Sequence, residues 1–283
     1  MKYLKRYEEI YPEGVPIPIC ENPEQIDKVV NDIMTNCMPF IRQLRACNLK
    51  SDFANGERGF IYHNTQQTPK SIADKTFSKG AVEFKHKSKS KSRNTPYTIV
   101  EYMDEKFNQK FNWKARTDAL YVHNGELDFL ETYGDKYIIF PIGDFKYLWS
   151  NKINDLFLYL HGRCSTISGE DWNQYPANIN DEDSKKRFNQ NYPTKEDIEL
   201  ENDNAKPALE WHDKKDLLEP YIVIDEILNS YQDTHFCNWF QKPHEMMIKA
   251  DSYYLVKYTN CLIDRLYNEI YNKDSANQIW MKK

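Results

Sequence analysis

Three apolar runs in this chain begin or end on residues able to do chemistry. Phe60-Ile61-Tyr62 runs into His63, Arg116-Thr117-Asp118 precedes Ala119-Leu120-Tyr121-Val122, and Glu245 opens Met246-Met247-Ile248. A carboxylate fixed at a strand end stabilises positive charge that develops on a bound molecule. A neutral imidazole hydrogen-bonds hydroxyl groups and titrates near physiological pH. The planar guanidinium fork of Arg116 matches the oxygens of a diphosphate. Each residue also has a structural alternative: Glu245 as an exposed glutamate after the Lys-Pro-His turn, His63 as a turn residue, and Arg116 as a salt-bridge partner of Asp118 or Asp104.

The elements that must hold these residues follow from apolar spacing. From Pro23 to Cys47, Ile26, Val29, Val30, Ile33, Met34, Met38, Ile41 and Leu44 recur at three and four, the period of an amphipathic helix that Pro39 divides. Gly59 to Tyr62 reads as a short strand ending at His63. Thr95 as cap and Pro96 in the first turn open a helix carrying Ile99, Val100, Met103, Phe107 and Phe111. Asp118 to His123 reads as a strand, and a short helical piece runs through Leu127 and Leu130 to Tyr133. Tyr137-Ile138-Ile139-Phe140 is continuously apolar, as a central strand covered on both faces would be. A helix over Pro220 to Tyr231 and a last one bearing Leu262, Leu266 and Ile270 complete the set. Tyr133, Tyr137, Phe140, Phe145, Tyr147 and Trp149 offer stacking surfaces beside their role as core.

Composition narrows the function. With 283 residues the chain can bury a substantial core, and its net charge of -5 argues against a surface coated with nucleic acid. Two segments depart from the average. KGAVEFKHKSKSKSR, Lys79 to Arg93, reads as a mobile basic loop, and its Lys85 to Arg93 part could contact phosphates or an acidic partner. Gly169 to about Glu219 is polar and acidic and reads as an excursion from the main domain. The expected organisation is therefore an N-terminal helical segment over 1–52, a core over 53–168 and 235–283, and an inserted excursion over 169–234. Six scattered cysteines without a CxxC pair predict reduced cytosolic thiols, and no histidine or carboxylate spacing predicts a metal. MKYLKRYEEIYPEG lacks a secretory apolar segment, and no run reaches the ~20 apolar residues of a membrane span. No P-loop or GxGxxG element is present.

The order of Tyr62-His63, Arg116-Thr117-Asp118 and Glu245 resembles that of mono-ADP-ribosyltransferases. That resemblance implies an α+β fold, a split pair of small mixed sheets flanked by helices, clamping NAD as substrate between strand ends. It places Arg116-Thr117-Asp118 on the second strand. Glu245 would be the catalytic carboxylate, with His63, Arg116, Thr117 and Tyr133 binding NAD; Tyr121 is the alternative to Tyr133 as the ring stacked on nicotinamide. A second pattern, RNTP, WKARTDALYV, YGDKYIIFPIGDFKY and HEMMIKADSYYLV, resembles uncharacterised proteins of large tailed bacteriophages. It implies action in the cytoplasm of an infected bacterial host or packaging in the virion. A host protein or nucleic acid would be the acceptor, or else the target of a non-catalytic inhibitor.

Overall fold

The computed structural model describes residues 22–47, 59–65, 80–85, 95–124, 135–164, 166, 192–209, 212–240, 244–257 and 260–272. Two four-stranded sheets organise them. The first has the order β1-β4-β8-β2, from β1 (Tyr62–Thr65), β4 (Asp135–Ile142), β8 (Ser252–Lys257) and β2 (Ala81–Phe84). The second has the order β3-β7-β5-β6, from β3 (Leu120–Val122), β7 (Met246–Lys249), β5 (Lys146–Ser150) and β6 (Tyr231–Gln232). Every pairing is antiparallel, so the sheets expected to be mixed are not.

One bent ribbon belongs to both sheets. β4 pairs with β8 while the strands that adjoin them, β5 and β7, pair with each other. Ile142 opposes Ser252 and Lys146 opposes Lys249, so Gly143, Asp144 and Phe145 face only Ala250 and Asp251. The extra residue bends the ribbon as a bulge does. Gly143 sits at the corner with φ +72, a conformation that glycine adopts without a Cβ penalty. Tyr253 pins the other arm: its hydroxyl donates to the Ile248 carbonyl at 3.0 Å and accepts from the Ala250 N–H at 2.7 Å. Far from this corner, a bridge between Tyr62 and His123 ties β1 to β3.

The continuous apolar run becomes the central strand it predicts, with Tyr137, Ile138, Ile139 and Phe140 all fully buried in β4. The divided N-terminal helix is also found, as α1 (Pro23–Asn36) and α2 (Met38–Ala46) broken at Cys37. Ile33, Phe40, Ile41 and Leu44 from these helices join β1, β4, β8 and the inner face of β7 in a first core, so residues 22–47 pack with the main body. Leu262 and Leu266 of α10 (Asn260–Tyr267) close it.

A second core covers the opposite face of the second sheet. It is built by α3 (Tyr97–Phe111), α5 (Leu156–Arg163), α6 (Lys195–Leu200) and α8 (Lys214–Leu228). Residues of the expected excursion, Ile198 and Leu217 in its acidic part and Tyr221 and Ile224 after it, lie in this core beside Met103 and Phe107 of α3. The described part of the expected excursion is thus integral, and it lends β6 to the sheet. Apolar residues had been diluted by surface carboxylates along that stretch, which masked the buried stripe.

Other boundaries moved. α3 is capped at Pro96, not Thr95. α8 begins at Lys214 and carries Pro220 inside, where the expected helix would have begun. Proline offers no N–H to the Asp216 carbonyl, and this carbonyl instead accepts from the Thr166 hydroxyl at 3.4 Å. The adjacent Leu217 carbonyl accepts from Tyr192 at 3.0 Å. Ala81–Phe84, read within the basic loop, forms β2 against β8; 86–94 lies outside the described residues. Cys47 and Cys237 form a disulfide across 190 residues of sequence, contrary to the expectation of reduced thiols, while Cys37 and Cys164 are free and buried.

Candidate functional site

The short helical turn Ala115–Asp118, α4, carries Arg116 and Thr117 where the resemblance places a strand. The turn is fixed from both sides. Asp104, on α3 and only 4 % exposed, accepts the N–H of Arg116 at 2.8 Å and that of Thr117 at 3.2 Å, and also accepts the Thr117 hydroxyl. At its other end Asp118 pairs with Lys249 of β7 at 2.6 Å. The Arg116 carbonyl accepts from the Tyr121 hydroxyl at 3.1 Å, and the guanidinium lies 4.9 Å from the centre of the Tyr121 ring. Both structural salt bridges open to Arg116 in sequence are therefore taken up otherwise, Asp118 by Lys249 and Asp104 by backbone and hydroxyl donors.

Alternation along β7 brings Glu245 to the same place. Met246 and Ile248 point into the first core and Met247 into the second, so Glu245, one step before Met246, shares the Met247 face. Its N–H donates to the Asn154 carbonyl at 2.7 Å, and its Oε2 accepts the Leu156 N–H at 3.3 Å. Leu156 is the first residue of α5, whose cap Asp155 accepts from Leu158 at 2.7 Å. A carboxylate at a helix N-terminus is electrostatically favoured.

Burial nevertheless dominates Glu245. Together with the charge of Asp155 it pushes the carboxyl up to about 8, against the opposing influence of Arg116 and the Leu156 N–H. The side chain is half-buried and strongly desolvated. Arg116 and Glu245 feel each other's charge, as do Tyr121 and Tyr231, yet no direct ion pair joins Arg116 to Glu245 among the described residues. Guanidinium and carboxyl thus lie within electrostatic reach of each other and of two phenol rings.

Arg116 and Glu245, far apart in sequence, are the expected residues that the fold brings together. His63 lies within β1, not at its end, and its Nδ1–H donates to the Tyr121 carbonyl at 2.8 Å. That contact joins His63 to the backbone of Tyr121. Thr117 is bound to Asp104, as described. Tyr133 lies outside the described residues, so of the two tyrosines considered for stacking it is Tyr121 whose position is seen.

Two participants were missed, and a third, Asp104, was expected only as a salt-bridge partner of Arg116, whereas it accepts from the backbone of that residue. Tyr231 enters through β6, a strand of two residues too short to read from sequence. Asp155 could have been found as a cap, because Asp before Leu-Phe-Leu-Tyr-Leu is a helix start. His123 belongs elsewhere: its ring packs on Tyr62 at 5.7 Å and its Nε2 bonds Asn64 at 2.8 Å. Burial, with Lys136 and His63 nearby, lowers it to about 3, so it stays neutral.

Among the described residues no group of three metal-ligating side chains converges, and no helix is long and apolar enough to cross a membrane. No protein-family model, curated protein or solved structure matches the chain.

Proposed function

We propose that this chain is a phage-borne mono-ADP-ribosyltransferase that moves ADP-ribose from NAD to a macromolecule of an infected bacterial host. The observation that carries the reading is the convergence of Arg116 and Glu245 on one face of the second sheet, beside Tyr121 and without pairing directly. In the reaction the bond between ribose C1′ and the nicotinamide nitrogen breaks, and its electron pair leaves with nicotinamide. Positive charge develops at C1′ until an acceptor nucleophile forms the new bond and gives up its proton. Glu245 stabilises that charge, Arg116 receives a phosphate oxygen, and Tyr121 offers a ring for stacking. The nicotinamide of NAD is itself a cation, so its arrival favours the ionised form of Glu245.

Incubating the protein with labelled NAD and bacterial lysate tests this. Label transfer or nicotinamide release is expected from the wild type, with a loss of about a hundredfold or more in Glu245→Ala, the scale of removing an electrostatic stabiliser. Absence of both activities, unchanged by the substitution, refutes it.

A second reading draws on a specific sequence departure. Position 243 is proline, where the transferase family's catalytic strand carries Glu or Gln. A non-catalytic protein that binds and inhibits a host or anti-phage defence protein would keep Arg116 and Glu245 without the turnover. Undiminished inhibition by Glu245→Ala would favour that reading.

A further inference from the structure

We infer that Asp104 is a positioning residue, which holds the α4 turn so that the Arg116 guanidinium stays beside Tyr121 within reach of Glu245; this rests on reading Arg116 and Glu245 as one ligand-facing pair. The argument begins with cost. A carboxylate 4 % exposed is expensive to bury unless its oxygens are matched by donors. Among the described residues the donors to Asp104 come from two consecutive residues, the N–H groups of Arg116 and Thr117 and the Thr117 hydroxyl. No lysine or arginine pairs with it among the described residues. The bonds instead fix the backbone from which the Arg116 side chain departs, while the Tyr121 hydroxyl holds the carbonyl of the same residue.

α4 has only four residues and no side-chain cap of its own. Such a turn does not persist alone, because few of its backbone groups find intrahelical partners. Asp104 supplies from α3 the acceptor that the turn lacks. Arg116 is thereby stacked on Tyr121 and kept out of the solvent-exposed rotamers open to a long cation.

The titration of Glu245 reports the outcome, since Arg116 is the cation acting on it. The other groups facing Glu245 are Asp155, the Leu156 N–H, Tyr121 and Tyr231. Two effects of Asp104→Asn have opposite signs. Loss of a negative charge alone would lower the Glu245 midpoint, whereas release of Arg116 from its place beside Tyr121 would raise it.

The experiment is a carboxyl 13C NMR titration of the full chain labelled at glutamate, with the Glu245 signal assigned through Glu245→Gln. Asp104→Asn is expected to raise the Glu245 midpoint by about one pH unit. In an Arg116→Ala background the same substitution is expected to add no upward shift, which a double-mutant cycle resolves. An unchanged or lowered midpoint in folded Asp104→Asn overturns the proposal, as does an equal rise without Arg116. Should Asp104→Asn not fold, Thr117→Val decides by the same signs with a smaller rise. NAD turnover of the wild type is measured separately: its absence refutes the transferase reading and leaves the titration to judge Asp104.

Discussion

The carboxyl of Glu245 keeps its proton at neutral pH because burial and Asp155 outweigh Arg116 and one backbone N–H. That state has a thermodynamic consequence. Below the unfolded value near 4.5 the group is neutral in both states, and above about 8 it is charged in both, with the folded protein bearing the desolvation cost. Its contribution to stability is therefore present at low pH and lost as pH rises through the folded value. Glu245→Gln should abolish this loss. Between about pH 5 and pH 9 the wild type should weaken relative to the variant by on the order of 2 kcal/mol, allowing for partial water access, in urea melts at each pH. A constant difference across that range would show that the carboxyl is not held in a desolvated site. Glu245 itself was legible as the polar start of an apolar run, but the proton it keeps was not. That depends on Asp155 and Arg116, which adjoin it only in the folded chain.

At the scale of elements, prolines show where local rules suffice and where they fail. Pro39 falls in the first turn after a break at Cys37, as its missing N–H requires. Pro220 lies in the middle of α8, and reading it as the start of a helix misplaced the boundary by six residues, from Lys214 to Pro220. The helix continues past it because Thr166 donates to the Asp216 carbonyl, which the proline leaves without its helical donor. Thr166→Val should therefore destabilise by about 1 kcal/mol, the scale of a buried carbonyl that loses its donor, measured by chemical denaturation. No effect would mean that the proline is tolerated without that support. The α4 turn was misread for a related reason: Arg116-Thr117 adjoins a true strand, and only Asp104, twelve residues before Arg116, makes it a turn. β2 was hidden because Ala81–Phe84 runs directly into a lysine series, and its pairing with β8 spans most of the chain.

The whole molecule is knit by contacts between distant parts of the sequence, the class least visible in local pattern. Cys47 and Cys237 are the extreme case: nothing in their neighbourhoods marks them as partners, yet the disulfide joins the end of α2 to the short helix Phe236–Trp239. Closing a loop of this length restricts the unfolded chain by about 5 kcal/mol at most in the loop-entropy model. Cys47→Ala with Cys237→Ala should lower the denaturation midpoint while leaving the far-ultraviolet circular dichroism of the native state unchanged. An unaltered midpoint would exclude the bond as a stabilising link in solution.

The bent ribbon has a mechanical meaning. Because β4 runs into β5 and β8 is reached directly from β7, the same two stretches of backbone form the spine of both sheets. Opening the two sheets like the leaves of a book would have to break the pair of hydrogen bonds between Tyr62 and His123, which joins β1 to β3. Glu245 stands at one end of the spine, so a force applied there would be borne by the same backbone that crosses into the other sheet.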